Sequence, residues 1–175
     1  MLAKSHIIST MIVLTPLSIY VEQDEVLIFL IAGVIGALFP DLDEKGSFLS
    51  RRVYFISKFI SIFTEHRGWT HTLIIVLIYI IIGAIFLKYN ETTQYANTLL
   101  AFVVGNIIHM IGDLSTRSGL QILYPFKKKQ YYILPRGMRI VTNSKVEIYI
   151  LIPFMATVLL MEIFLVYKEI LQGII

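Results

Sequence analysis

The chain has no cysteine, so disulfides, thiolate metal ligands and a cysteine nucleophile are all excluded. Histidine is scarce, with four in 175 residues, and there is one tryptophan. No internal repeat or low-complexity stretch is visible. No glycine-flanked serine occurs and no serine–histidine–acid set stands out, which argues against acyl-enzyme chemistry.

What is abundant is apolar. Hydrophobic residues make up 57% of the chain and the mean hydropathy is +0.76. A soluble domain holds roughly 45–50% apolar residues even with glycine counted. The excess is gathered into runs near the ~20 residues that a helix needs to cross hydrocarbon. The composition therefore predicts an all-α integral membrane protein, with residues 1–175 forming one membrane-embedded helical domain.

Along the chain, the first run resembles a signal peptide but lacks a small-residue cleavage site, because Ile19-Tyr20-Val21-Glu22 is bulky and acidic. It reads as a retained helix from about Ser5 to Tyr20. A second run, Val26 to Phe39, is short for a span and is stopped by Pro40. Val53, Ile56, Phe59, Ile60 and Phe63 then recur at helical spacing, as expected of an amphipathic helix at the interface. Trp69–Leu87, Tyr95–Gly112 and Val146–Tyr167 complete a set of about five transmembrane helices. Between the last two, β-favouring pieces at Gln130–Leu134 and Met138–Thr142 flank Pro135-Arg136-Gly137 and predict a small cytoplasmic β-hairpin.

Charge sets the orientation. With a cytoplasmic N-terminus, every one of the 15 basic residues except Lys88 and Lys168 falls on the inner side. The net charge of +3 is thus explained by membrane topology, and no nucleic-acid partner is expected.

On that topology the histidines converge. His6 starts the first helix, Asp41 and Asp43 follow the second, His66 and His71 flank the start of the third, and His109 and Asp113 close the fourth. The last two are four residues apart and share a helical face. Singly, each has a plain reading: an interfacial histidine, a turn after proline, a hydrogen-bonded i,i+4 pair. Together they form one layer. Ionisable groups at a bilayer are costly and usually paired or functional. Imidazole suits zinc, iron or manganese, and carboxylates add hard oxygen ligands. Four histidines and three aspartates suffice for two divalent ions ~3.5–4 Å apart, as in many phosphoester hydrolases, with Asp41 or Asp43 as the candidate bridge. Zinc is the first expectation, manganese or iron the alternatives.

Pro40-Asp41-Leu42-Asp43, His66-Arg67-Gly68-Trp69-Thr70-His71-Thr72, and His109 to Asp113 followed by Thr116, Gly119 and Pro125 resemble the YdjM family. Its members are bacterial and archaeal inner-membrane proteins described as metal-dependent hydrolases. The resemblance covers about the first three quarters of the chain. It implies an inner (plasma) membrane location and marks His6, Asp41, Asp43, His66, His71, His109 and Asp113 as the shared polar positions.

The expected function is hydrolysis of a phosphoester in a membrane lipid or lipid-linked substrate at the cytoplasmic face, with water activated by the cation. Arg67, lying between two proposed ligands, is the candidate catalytic arginine, and Arg117 and Arg136 are candidates to bind phosphate oxygens. Asn106 shares the face of His109 and Asp113 and is a candidate to orient a ligand. Two other classes use the same residues: a transporter for a divalent cation or anion, or a non-catalytic membrane regulator with a structural metal.

Overall fold

A computed structural model describes residues 1–44, 47, 50–52, 54–55, 58, 69–89 and 92–171. Among the described residues five α-helices carry the fold: α1 (Ala3–Leu17), α2 (Val26–Leu38), α3 (Leu73–Tyr89), α4 (Thr93–Leu114) and α5 (Ile152–Leu171). A π-helical turn, Glu147–Leu151, leads into α5. The amphipathic helix expected around residues 53–63 falls mostly outside the described residues.

Length separates these helices. Among the described residues, two are long and apolar enough to cross a membrane, Thr93–Leu114 and the span Glu147–Ile170. The 13 residues of α2 cover about 20 Å at 1.5 Å per residue, well short of the ~30 Å of hydrocarbon. Pro40 is the cause: it opens a 3-10 turn, Pro40–Asp43, directly after α2. The 17 residues of α3 come closer, at about 26 Å.

Small residues set the central contact, between α2 and α4. A Cβ on Gly36 would lie 2.0 Å from the Phe102 carbonyl oxygen, and one on Gly105 would lie 2.1 Å from that of Gly33. Only glycine lets the two backbones approach so closely, as is common where helices pack in membranes. Leu14, Phe29, Ala32 and Ala101 pack beside this contact and bring in α1. Val76, Val103, Met110 and Leu120 form a second cluster joining α3, α4 and the chain beyond α4. On α5 the large side chains of Phe154, Leu160, Met161 and Phe164 face outward, as expected of a lipid-facing surface.

The predicted β-hairpin is absent: among the described residues there is no strand, only isolated bridges Thr116–Ile140 and Leu120–Tyr131. The two β-favouring pieces pair with the segment after α4 instead of with each other. Tyr131 N–H donates to Leu120 O at 2.8 Å, Ile133 N–H to Leu114 O at 3.0 Å and Ile140 N–H to Ser115 O at 3.0 Å. With those groups engaged, Arg136–Met138 closes as a 3-10 turn.

Candidate metal centre

Four elements meet where α1 and α3 begin and α2 and α4 end. At the α3 end, Thr72 caps the helix by accepting Ile75 N–H at 3.3 Å. The preceding turn, Trp69–His71, thereby turns the His71 ring inward, where it is fully buried. On α4, His109 and Asp113 are both buried on one face. His6 of α1 stacks on His109 with ring centroids 3.8 Å apart. The Pro40–Asp43 turn supplies Asp41, whose side chain is 14% exposed and is the part of the cluster that reaches the surface.

Hydrogen bonding fixes the two central rings. His109 Nδ1 lies 2.6 Å from the Ala37 carbonyl oxygen, which can only accept, so Nδ1 carries the proton. Thr70 Oγ1 donates to Asp43 Oδ2 at 2.5 Å and sits 2.9 Å from His71 Nδ1. A hydroxyl that has given its proton to a carboxylate must accept from the ring, so His71 Nδ1 is protonated too. With each Nδ1 so engaged, the Nε2 atoms of both rings face each other at 3.2 Å.

Two carboxylates complete the arrangement. Asp41 Oδ1 is 3.7 Å from His71 Nε2 and 3.6 Å from His109 Nε2. Asp113 Oδ2 is 4.0 and 3.9 Å from the same atoms. Ligands ~2.0–2.1 Å from a zinc ion at tetrahedral angles stand about 3.3–3.4 Å apart. The two imidazole nitrogens, 3.2 Å apart, each lie 3.6–4.0 Å from an oxygen of either carboxylate, and Asp41, His71 and His109 stand close enough together to hold a divalent cation. Burial by itself would raise the Asp41 carboxyl, but its interactions with His71, His109 and His6 hold it below the usual carboxylate range.

The other carboxylate oxygen of Asp113 faces away from this pair. Oδ1 is 3.4 Å from His6 Nε2 and also accepts from the Met1 amino group. Neither ring nitrogen of the buried His6 makes a hydrogen bond among the described residues. His6, His109 and Asp113 thus form a second close group, which shares His109 with the group of Asp41, His71 and His109.

The structure brings together His6, Asp41, His71, His109 and Asp113. Asp43 stands one step back: through Thr70 it orients His71, as carboxylates behind histidine ligands commonly do. Asn106 is fully buried, with neither side-chain atom hydrogen-bonded among the described residues. His66 and Arg67 lie outside the described residues. Arg117 and Arg136 are apart from the cluster, around a cavity that none of the five residues lines.

Two participants escaped the sequence reading. Thr70 lies within the His66–Thr72 motif, and its place between two polar residues was the available signal. Glu147 is fully buried and accepts Leu2 N–H at 2.8 Å, Ser5 Oγ–H at 2.7 Å and Asn143 N–H at 2.7 Å. It ties the π-turn to the start of α1, next to His6. An acid ahead of an apolar run gave no hint of this.

Apolar outer faces and a buried imidazole–carboxylate cluster at one end define a helical membrane protein with a candidate cation centre. A family model described as YdjM inner membrane protein matches residues 1–170. The chain belongs to this inner-membrane family. It is 34% identical over 95 residues to inner membrane protein YdjM of Escherichia coli (strain K12), a match covering 54% of this chain and 47% of that protein. The match thus spans about half the length of that relative. Uncharacterized protein YvsG of Bacillus subtilis (strain 168) is 30% identical over 125 residues, covering 71% of this chain and 74% of that protein. Uncharacterized protein YfhP of the same organism is 28% identical over 101 residues, 57% of this chain and 28% of that protein. No solved structure matches significantly.

Proposed function

We propose that the cluster binds a divalent cation and that the protein is a membrane-bound metal-dependent hydrolase of a phosphoester in a lipid or lipid-linked substrate. One observation carries the reading: hydrogen bonds to Ala37 and Thr70 occupy Nδ1 of both rings and leave their Nε2 atoms facing each other 3.2 Å apart. Lone pairs aimed at one another in a buried site repel unless positive charge lies between them, and carboxylates beside them favour a cation.

His71, His109, Asp41 and Asp113 would hold the ion, and this nitrogen–oxygen set suits zinc before manganese or iron. His109 has only one nitrogen left, so it serves one ion. A second ion would rest on Asp113 Oδ1 and His6, which makes Asp113 a better bridge than Asp41 or Asp43. A bound divalent cation would polarise a phosphoryl oxygen and make water nucleophilic near neutral pH.

The chain's own residues supply the rest. A cavity of about 690 Å³ opens beside Asp41, with Lys4, Arg51, Ile148 and Ile152 on its walls. Lys4 and Arg51 would neutralise phosphate oxygens, while Ile148 and Ile152 offer apolar surface to the remainder of an amphiphile. Asp43 and Thr70 keep the His71 ring fixed while its neighbours change charge. A transport site would lie nearer the midplane, between repeats or broken helices. Here the donors gather at helix ends.

The test is metal content and lipid turnover on one preparation in detergent. The parent should carry at least one equivalent of zinc, manganese or iron and release phosphate or headgroup from one member of a phospholipid panel. Asp41→Asn and His109→Ala should lose both properties. Variants that keep the metal and behave like the parent would sink the shared-site reading. Metal lost with no lipid ever hydrolysed would leave a structural centre and reject the hydrolase.

A further inference from the structure

A second polar cavity, of about 620 Å³, is walled by Arg117, Tyr132, Arg136 and Arg139. Three of its four lining residues are arginines and none is a carboxylate. Among the described residues none of the three forms an ion pair. Backbone and ring contacts hold two of them in place. Arg117 N–H donates to Ile140 O at 2.9 Å, which fixes the chain of Arg117 beside that of Arg139. The Arg139 guanidinium lies 3.4 Å over the Tyr132 ring, and its Nε–H donates to Leu134 O at 3.0 Å. Arg136 projects from its own 3-10 turn. Like charges gathered without a counter-charge repel, and an anion relieves that repulsion.

We propose that Arg117, Arg136 and Arg139 form a binding site for the phosphate of an anionic glycerophospholipid headgroup, separate from the cleft beside Asp41. Guanidinium matches phosphate with paired N–H donors, so three of them suit one phosphate group with several oxygens. Depth favours a lipid as its source. Arg117 lies just beyond Leu114, the last residue of the spanning helix α4, where headgroups begin. The same segment exposes Phe126, Ile133 and Met138 among Lys127, Lys128 and Lys129. Bulky apolar tips interleaved with cations suit the boundary between acyl chain and headgroup. The cavity shares no wall residue with the cleft at Asp41, so this site does not depend on the hydrolase reading.

The experiment is native mass spectrometry of the full chain in a neutral detergent, titrated separately with phosphatidylglycerol, phosphatidylcholine and inorganic phosphate. The parent should retain one phosphatidylglycerol in preference to phosphatidylcholine. R117Q/R136Q should bind it about tenfold more weakly or worse, with zinc content and helicity unchanged. K127Q/K128Q/K129Q should bind it as the parent does. Should R117Q/R136Q fail to fold, R136Q alone, on an exposed turn, must still weaken retention. Equal retention of both lipids by the parent, or equal loss in the lysine variant, overturns the site. Complete displacement of the lipid by millimolar phosphate overturns the lipid as its ligand.

Discussion

The carbonyl oxygen of Ala37, in the last turn of α2, lies 2.6 Å from Nδ1 of His109 on α4. A main-chain group on one helix thereby selects the tautomer of a side chain on another. The geometry of the centre is thus inseparable from the close packing of those two helices.

Gly105 is where that dependence is tested. Gly105→Leu drives side-chain atoms into the Gly33 backbone, for which a Cβ alone would already be 2.1 Å from the carbonyl oxygen. Overpacking of this kind costs about 1–3 kcal/mol. The variant should unfold at lower temperature in detergent and bind zinc more weakly, because Ala37 moves with α2. Thermal unfolding and zinc titration on the same sample check both. Unchanged zinc affinity in a destabilised variant would uncouple the packing from the centre.

Thr70 separates orientation from ligation. Thr70→Val keeps the shape but removes the hydroxyl that joins Asp43 to His71. Loss of such a supporting contact typically lowers metal affinity about 10–100-fold. Competition with a chromophoric chelator should show that fall at unchanged stoichiometry. Asp43→Asn should fall short of the loss seen with Asp41→Asn. An Asp43 variant that lost metal entirely would make Asp43 a ligand.

Glu147 should matter to stability. Its carboxylate serves three donors in a fully buried position. Glu147→Ala leaves those donors short of partners, at a cost of at least about 2 kcal/mol. The expected readout is a Tm lower by several degrees, with Glu169→Ala on the exposed face of α5 within about 0.5 kcal/mol of the parent. Equal effects at the two positions would reject this tie between the π-turn and α1.

How much of this was legible in the sequence depends on how local the signal was. The helical runs were legible because an apolar stretch needs only its own residues to form a helix, though Pro40 cuts the second one short of a full crossing. The meeting of His6, Asp41, His71, His109 and Asp113 was legible because each stands at the end of such a run, and i,i+4 spacing fixes the face of the last pair. Within Asp41-Leu42-Asp43, residue spacing alone did not say which carboxylate faces the histidines and which faces Thr70. The hairpin failed for a different reason. Strand-like composition at residues 130–142 was read as local pairing, whereas the backbone partners are Leu114, Ser115 and Leu120, farther back in the chain. Glu147 was invisible because its partners at Leu2 and Ser5 lie almost the whole chain away.

His6 and Asp113 are the outermost donors of the cluster, with the other three strung between them. During synthesis the full set of five therefore cannot form until the end of α4 has emerged and packed against α2. The complete set of five thus comes together as a closing step of assembly and not as a seed for it.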